Sequence, residues 1–179
     1  MLYPLPAVLV SVTDGKGHDN VLTVAWTGTV CTNPPMVYIS VRPERHSYAM
    51  IRDTGEFVVN LTTEALMNAA DFCGVRSGKD VDKFAAARLT REKAEFVRAP
   101  MIAESPVSIE CRVTEAKELG SHTMFLAEVL AVHVDQELLD EKGKFHLNRA
   151  GLLVYSHGEY LKTGRKLGFF GCSVRKKRK

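Results

Sequence analysis

The stretch Val107-Ser108-Ile109-Glu110-Cys111-Arg112-Val113-Thr114 alternates apolar and polar side chains without a break. A period of two places Val107, Ile109, Cys111 and Val113 on one face of an extended strand and the polar side chains on the other. This pattern predicts a half-buried antiparallel strand, with one face on the core and one face in water.

The next run along the chain, Met124–Val132, is almost entirely apolar. We expect it to form a strand that is covered on both faces or lies at a subunit contact. Residues 117–122 connect the two strands, and Gly120 among them supplies the permissive backbone of a hairpin. The two segments therefore predict neighbouring antiparallel strands.

Similar apolar and β-branched runs recur along most of the chain, with closely spaced turns such as Asp14–Gly17 between them. The runs are 7–13, 21–30, 36–41, 57–61, 107–116 and 123–134. No alternation of strands with long helices accompanies them, so a parallel sheet is not indicated. The pattern predicts a mainly β fold, an antiparallel barrel with a few short helices on its flank.

Three short helices are predicted. Ser47 is the expected N-cap of the first, which ends at Gly55. The second is expected from Thr63 to Phe72 with its end near Gly74, and a third around 81–87.

Length and charge favour one ordinary domain. The chain has 179 residues, 45% of them hydrophobic and 25% charged, and a net charge of +3. We expect a single domain over 1–172 and a basic, disordered tail over 173–179. Without the last five residues, which are all basic, 19 basic residues face 21 acidic ones, so the body is slightly acidic. Nucleic acid is therefore not an expected partner.

Neither a signal peptide nor a transmembrane run is predicted, because no stretch approaches about 18 consecutive apolar residues. We expect a cytoplasmic protein with no membrane partner. Cys31, Cys73, Cys111 and Cys172 lie far apart without a CxxC spacing, which argues against a metal site or a redox dithiol. Phosphate-loop, dinucleotide and GxSxG hydrolase motifs do not occur in the sequence.

Two segments carry groups suited to an anion. Arg42 and Arg45 precede Ser47 at the predicted start of a helix, where free N–H groups favour phosphate. The alternative is an ordinary helix cap with solvated arginines. The glycine-bearing loop 73–84 carries three basic residues, and an anion-contacting loop or a plain surface loop explains it equally well.

The segment Asn20–Thr29 places the only tryptophan, Trp26, among hydroxyl side chains within a predicted strand. Threonines, an asparagine and a nearby glycine suit a planar polar ligand, although a core tryptophan is the commoner explanation. His122 opens a strand, where a structural role is more common than a catalytic one. No carboxylate stands near it in sequence to complete a hydrolytic triad.

Taken together, these segments resemble the flavin reductase-like family, the FMN-binding split barrels that include the flavoredoxins. The similarity spans nearly the whole chain and rests on the order and spacing of several short motifs. They are Asn20-x-x-Thr23-x-Ala25-Trp26, Asn33-Pro34-Pro35-Met36-Val37, Arg42-Pro43-x-Arg45-x-Ser47, Gly55-Glu56-Phe57-Val58-Val59-Asn60, Cys73-Gly74-x-x-Ser77-Gly78-x-Asp80-x-Asp82-Lys83-Phe84, Gly120-Ser121-His122 and Tyr155-x-x-Gly158-x-Tyr160.

The resemblance implies a six-stranded antiparallel Greek-key split barrel that works as a homodimer with one FMN per subunit. It implies cofactor contacts for ten residues: Asn20, Thr23, Ala25, Trp26, Arg45, Ser47, Ser77, Lys83, His122 and Tyr155. Among them, Arg45 and Ser47 would hold the phosphate, and His122 is also the catalytic candidate. No metal is implied.

The function implied is an FMN-binding oxidoreductase that passes electrons from NADH, NADPH or a redox protein to an acceptor. Ser121 stands where many two-component flavin reductases have Asp, and this departure leans toward the flavoredoxin branch. Two alternatives stay open at this point. One is a non-enzymatic FMN-bound electron carrier with a redox protein as partner, and the other is an interaction barrel whose basic tail binds acidic partners or nucleic acid.

Overall fold

Antiparallel strands make up most of the structure, a computed structural model that describes residues 2–175. In chain order the elements are β1 (Leu5–Pro6), β2 (Val8–Thr13), β3 (Asp19–Val24), β4 (Thr27–Thr32), β5 (Pro35–Val41), α1 (His46–Thr54), β6 (Glu56–Leu61), α2 (Met67–Val75), α3 (Lys83–Ala86), β7 (Arg91–Glu92), β8 (Met101–Ile102), β9 (Val107–Glu118), β10 (Thr123–Val134), β11 (Leu153–Ser156) and β12 (Glu159–Lys162). Short 3-10 turns lie at Glu64–Leu66, Gln136–Leu138 and Leu147–Arg149.

The main sheet has seven antiparallel strands in the order β3-β2-β6-β9-β10-β5-β4. The prediction of six strands is corrected because the run 21–30 divides into β3 and β4 at a bend formed by Ala25 and Trp26. Trp26 therefore does not lie within a strand, and its carbonyl accepts a hydrogen bond from the N–H of Ser40 (2.9 Å). Since this bend joins the two edge strands, the sheet curls into a split barrel, as predicted.

Apolar side chains fill the barrel. Strand β2 is buried at all six positions because its alternate residues face two different cores. Val8, Val10 and Val12 point into the barrel, whereas Leu9 faces outward and packs under α2 and α3 with Val21. The two helices thus cover the outside of β2 and β3.

The polar face of β9 is not in water, so the half-buried prediction is wrong for the first half of this strand. Ser108 and Glu110 are both buried, and the side chain of Glu110 is 0% exposed. The carboxylate of Glu110 accepts hydrogen bonds from the N–H groups of Glu95 (2.8 Å), Phe96 (2.6 Å) and Val97 (3.0 Å). The segment before β8 therefore folds over the polar face of β9 and satisfies its buried groups.

A second buried side chain, Asn60 on β6, ties the same layer together. Its amide nitrogen donates to the carbonyl of Leu9 (3.1 Å) and to Ser11 Oγ (3.0 Å). Its carbonyl oxygen accepts from the N–H of Ile102 (3.0 Å) and from Ser108 Oγ (2.8 Å). Four separate strands are linked through this one amide.

The first two helices begin at other residues than predicted. Helix α1 has Arg45 at its N-cap with no side-chain cap, so Ser47 lies inside the first turn and is not the cap. Its end at Gly55 is confirmed, since the N–H of Gly55 bonds to the carbonyl of Ile51. Helix α2 is preceded by a 3-10 turn and continues through Gly74 to Val75.

The third helix is shorter than predicted, because the side chain of Asp82 caps it by accepting from the N–H of Ala85 (3.3 Å). The hairpin between β9 and β10 is confirmed, with Gly120 at φ 75°, a left-handed conformation that glycine adopts without strain. Strand β10 is covered at Phe125 and Ala127, but Val132 is 54% exposed, so this chain alone does not cover it on both faces.

The last two strands form a small sheet with β1, in the order β1-β11-β12. Sequence patterning did not predict this sheet. Of the predicted tail, 173 and 174 lie in a turn, 175 follows it, and 176–179 lie outside the described residues. In the part of the chain that the structure describes, no helix is long and apolar enough to span a membrane.

We expect Glu110→Gln to lower the free energy of unfolding by about 2–3 kcal/mol, because an amide cannot replace a charged acceptor of three N–H groups. Chemical denaturation at pH 7 measures this loss. The matched control is Glu115→Gln, an exposed position on the same strand, which should change stability by less than about 0.5 kcal/mol.

The same carboxyl predicts a pH dependence. Burial raises the pKa of Glu110, but the backbone N–H groups and His133 Nε2, at 2.6 Å from Oε1, outweigh burial and lower the pKa overall. A lowered folded-state pKa means that the stabilisation is complete above the unfolded-state pKa of about 4.3 and is lost as the pH falls below it. The stability difference between the wild type and Glu110→Gln should therefore shrink below about pH 5. A constant difference down to pH 3 would contradict this assignment.

Candidate functional site

A cavity of about 450 Å³ opens where β3, the start of α1 and the end of α2 meet. Its size lies within the range of small-molecule and cofactor sites, roughly 300–1,000 Å³. The lining residues are Asn20, Leu22, Thr23, Arg42, Glu44, Arg45, His46, Ser47, Cys73, Gly74, Val75, Arg76, Ser77, Gly78 and Lys83. We call it the central cavity.

Positive charge dominates the central cavity. Four of its side chains are cationic, Arg42, Arg45, Arg76 and Lys83, whereas Glu44 is its one carboxylate. Glu44 pairs with Arg42 at 3.3 Å, which leaves the other three cations without a carboxylate partner in the described residues. Such a surplus favours an anionic ligand.

Lys83 is the most deeply placed of these cations and is only 4% exposed. Its ammonium group donates to the carbonyls of Val21 and Cys73, both at 2.8 Å. Burial lowers the pKa of Lys83, and the nearby charge of Arg45 lowers it further. A lysine ammonium carries three N–H donors, so one remains for a ligand.

Arg45 and Lys83 also complete the end of α2. Arg45 Nη1 donates to the carbonyl of Gly74 (3.1 Å), and Lys83 donates to the carbonyl of Cys73. The last carbonyls of a helix lack partners within the helix and form its negative end, where cations are stabilising. The two cations therefore fix the cavity wall as well as charge it.

Ser47 reaches the cavity in a way that the sequence did not predict. Asn20 Nδ2 donates to Ser47 Oγ (2.8 Å), and both side chains are buried. Gly78 lies directly against the amide of Asn20, and a Cβ atom added there would overlap that amide. A hydrogen bond and a close contact thus join strand, helix and loop at one corner of the cavity.

A smaller cavity of about 160 Å³ adjoins the central one and shares Thr23, Arg42 and Arg45 with it. Ala25, Trp26 and His122 line its far side. We call it the tryptophan cavity.

The rings of Trp26 and His122 stack in a tilted arrangement there, with centroids 4.4 Å apart and planes inclined at 36°. Trp26 is 50% exposed, so it is not a core tryptophan. Partial burial lowers the pKa of His122, and so do the positive charges of Arg42 and Arg45. This favours a neutral imidazole at neutral pH, and its Nδ1 lies 2.9 Å from Ser121 Oγ.

Thr23 lines both cavities, but its hydroxyl donates to the carbonyl of Ala70 on α2. Tyr155 lines neither cavity. It lies on β11, where its ring packs against Tyr160 at 5.6 Å and Tyr3 at 6.3 Å. The structure therefore brings nine of the ten predicted contact residues to two adjoining cavities, and the contact of Tyr155 with a ligand stays a prediction.

Several lining residues were outside the predicted set. Arg76 and Gly78 belong to the loop that the sequence singled out as basic and glycine-bearing, so that signal was present. Leu22 and His46 had no feature in the sequence that marked them as lining residues. Cys73 also lines the cavity, and burial raises the pKa of its thiol to about 11, so the thiol is protonated at neutral pH and is not a ready nucleophile.

The described residues also hold no group of three or more His, Cys, Asp or Glu side chains placed to bind a metal ion. Geometry and charge therefore define a split-barrel protein with two adjoining cavities, one rich in cationic side chains and one lined by aromatic rings. The chain belongs to the flavin reductase like family, whose domain pattern matches residues 1–164. This membership supports a flavin-dependent oxidoreductase function.

Solved structures and sequence relatives agree with this family. Flavoredoxin of Desulfovibrio vulgaris (Miyazaki F) superposes with a TM-score of 0.91 at 30% identity, over 98% of this chain and 95% of that one. An uncharacterized protein of Archaeoglobus fulgidus is 30% identical over 90% of this chain and 89% of its own length. FMN reductase (NADH) RutF 1 of Methylorubrum extorquens (strain PA1) is 29% identical over 73% of this chain and 63% of its own.

We expect Gly78→Ala to lower the free energy of unfolding by about 1–3 kcal/mol, because the added methyl must displace the Asn20 amide from Ser47. Denaturant unfolding measures the loss. Gly164→Ala is the matched control, since no atom lies within 4 Å of a Cβ built there. Equal stability of the two variants would show that Asn20 is not held in place by Gly78.

Proposed function

We propose that this chain binds FMN along β3, with the phosphate in the central cavity and the ring toward Trp26, and acts as an FMN-dependent oxidoreductase. The observation that carries the proposal is the buried ammonium of Lys83, which has two neutral carbonyl partners and no carboxylate partner among the described residues. A buried charge without a countercharge is costly, and a phosphate would supply one.

The cations and small residues of the central cavity fit a phosphate monoester. Arg45, Arg76 and Lys83 come from three different segments around one space. Ser77 Oγ accepts from the N–H of Lys79 (3.2 Å), which turns the loop along the cavity wall. Charge-assisted bonds from such groups would bind and orient the phosphate.

The tryptophan cavity fits a planar heteroaromatic ring. Trp26 and His122 offer aromatic surface, and the backbone bend at Ala25 leaves polar backbone groups near it. Partial burial and the charges of Arg42 and Arg45 lower the pKa of His122, which favours the neutral imidazole, in which one ring nitrogen donates and the other accepts. His122 can therefore hold or move a proton at the ring without a change in the charge of the site.

Bound FMN would supply the redox chemistry, which no side chain in these cavities provides. The protein's own residues would bind the phosphate, shield one ring edge and place positive charge near the site. NADH or NADPH as the donor is supported by the similarity to an FMN reductase (NADH). Ser121 stands where many two-component flavin reductases have Asp, and this difference favours a donor other than NADH or NADPH.

That second candidate is an electron carrier with bound FMN, reduced by a redox protein. The likeness to two flavoredoxins favours it, with TM-scores of 0.91 and 0.88 at 30% and 28% identity. A homodimer is part of either proposal. It is supported by the exposed apolar Val132 on β10 and by Tyr155, a predicted cofactor contact that lines neither cavity of its own chain.

An absorption spectrum tests the proposal directly. Purified protein, or protein titrated with FMN and then desalted, should show the flavin bands in near-equal amount with the chain. A sample that neither carries nor takes up FMN would refute the proposal. Anaerobic stopped-flow with NADH or NADPH then separates the candidates, since rapid bleaching indicates a nicotinamide donor and inertness indicates the carrier.

Lys83→Met should weaken FMN binding at least tenfold, because it removes one charged donor worth about 1.5–3 kcal/mol. Fluorescence titration measures the affinity, and circular dichroism checks the fold. Lys93→Met, at an exposed lysine away from both cavities, is the matched control. Arg76→Ala removes an exposed cation and should weaken binding several-fold. Unchanged affinity in both variants would remove these cations from the site.

A further inference from the structure

The chain beyond β12 does not pack against the barrel. Every residue from Leu161 to Arg175 is exposed, and the family's domain pattern ends at residue 164. The backbone hydrogen bonds within this stretch are local, from the N–H of Cys172 to the carbonyl of Phe169 (3.0 Å) and from the N–H of Val174 to the carbonyl of Gly171 (3.3 Å). We call residues 164–175 the exposed segment.

Large apolar side chains of the exposed segment lie in solvent. Leu167 is 90% exposed, Phe170 is fully exposed and Val174 is 82% exposed. Within residues 2–175, these are three of the four most exposed large apolar side chains. Exposed apolar surface that is concentrated in one place is typical of a site that contacts a protein or a membrane.

The same part of the chain is strongly basic. Seven of the 24 basic residues follow residue 164, whereas no acidic residue follows Glu159. Residues 1–164 therefore hold 17 basic and 21 acidic residues, a net charge of −4, and the residues after them carry +7. The guanidinium carbon of Arg175 lies 5.6 Å from the centre of the Phe169 ring, so positive charge and apolar surface are side by side.

Two classes of macromolecule fit this combination less well. Nucleic acid would use the charges and the phenylalanines, but Leu167 and Val174 are aliphatic and offer no ring for a base to stack on. A second copy of the chain offers acidic surface, because five aspartates line a cavity of about 890 Å³ beside the start of β3. They are Asp14, Asp19, Asp53, Asp80 and Asp82. A stable protein interface also needs a complementary shape, which a segment held only by local turns does not provide.

The surface of an anionic bilayer accepts both kinds of side chain. Its headgroups attract Lys and Arg, and apolar side chains enter the boundary between headgroups and acyl chains. A fluid bilayer also adapts to an irregular segment, so no complementary shape is required. Leu167 and Phe170 beside Arg165 and Lys166 match these requirements.

We propose that the exposed segment docks the protein on an anionic membrane surface, with Leu167 and Phe170 at the level of the headgroups and the basic residues on their charges. The sequence alone favours no membrane partner, because basic residues by themselves suit a solvated end. The exposed apolar side chains beside them are what the structure adds. The contact is peripheral and does not depend on bound FMN.

Cosedimentation of the full chain with vesicles tests the proposal. Vesicles of phosphatidylcholine and phosphatidylserine in about a 3:1 ratio are compared with vesicles of phosphatidylcholine alone, at about 0.1 M salt. We expect at least tenfold tighter binding to the anionic vesicles, and binding should weaken as salt is added, because salt screens the headgroup charge.

The apolar contribution is measured with Leu167→Ser/Phe170→Ser, which leaves the charge unchanged. Affinity for the anionic vesicles should fall at least tenfold, because two side chains that would leave water are removed. The matched control is Leu119→Ser/Phe96→Ser, since this leucine and this phenylalanine are also exposed but belong to the body of the protein. The control should change affinity less than twofold.

The charge contribution is measured with Arg165→Gln/Lys166→Gln, which should weaken binding to the anionic vesicles at least fivefold. Lys117→Gln/Lys142→Gln, at two exposed lysines of the body, is the matched control and should change it less than twofold. Circular dichroism of each variant checks that the fold is retained.

Cys172 lies in the exposed segment and reports its surroundings directly. Cys73 and Cys111 are buried, so in a Cys31→Ser background an environment-sensitive fluorophore labels Cys172. Its emission should shift to the blue when anionic vesicles are added and stay unchanged with neutral ones.

The inference is overturned if the full chain does not cosediment with anionic vesicles, if it binds neutral vesicles equally well, or if Leu167→Ser/Phe170→Ser binds as tightly as the wild type. Two other results in place of vesicle binding would assign the segment elsewhere and overturn the inference as well. A fluorophore shift that follows protein concentration, with a dimer that Leu167→Ser/Phe170→Ser dissociates in sedimentation equilibrium, indicates a second copy. Binding of single-stranded RNA indicates nucleic acid.

Discussion

Two backbone carbonyls, one on β3 and one at the end of α2, share the ammonium group of Lys83. This contact joins the edge of the barrel to the helix that covers it and places a positive charge at the floor of the central cavity. Arg45 makes the equivalent contact one residue further along α2. Both cations are held by carbonyl dipoles and have no carboxylate partner within residues 2–175, so no side chain there cancels their charge. The contacts that satisfy the last carbonyls of α2 are therefore also the ones that place positive charge in the site.

The barrel supplies the second condition for the site. The segment 21–30 is not one continuous strand. The bend at Ala25 and Trp26 ends β3, one edge strand of the main sheet, and begins β4, the other edge strand. The polar edge of β3 is left facing α1 and α2 across an open space. That geometry produces a row of cavities along one strand, with aromatic surface at one end, cations in the middle and carboxylates at the other.

Rigidity on the far side of the sheet keeps this arrangement in place. Glu110 and Asn60 are buried polar groups whose hydrogen-bonding capacity is used by backbone groups of the segment that folds over them. Buried polar groups are costly unless they are satisfied, so they fix one arrangement of that segment. Family membership and the charged cavities then point in the same direction, to a flavin-dependent oxidoreductase.

By itself the sequence determined the mainly β class, the hairpin at Gly120 and the basic loop before Lys83. It also determined the six apolar runs that form the seven strands of the main sheet. Period-two patterning and turn chemistry are local, so they survive in the sequence. Only the tertiary structure decided that Ser47 bonds to Asn20 instead of capping its helix, that Glu110 is buried and that Tyr155 lies away from the cavities. Periodicity shows which face of a strand is apolar. The groups that contact the rest of the strand come from segments distant in the chain, as Lys83 does when it donates to the carbonyl of Val21 on β3.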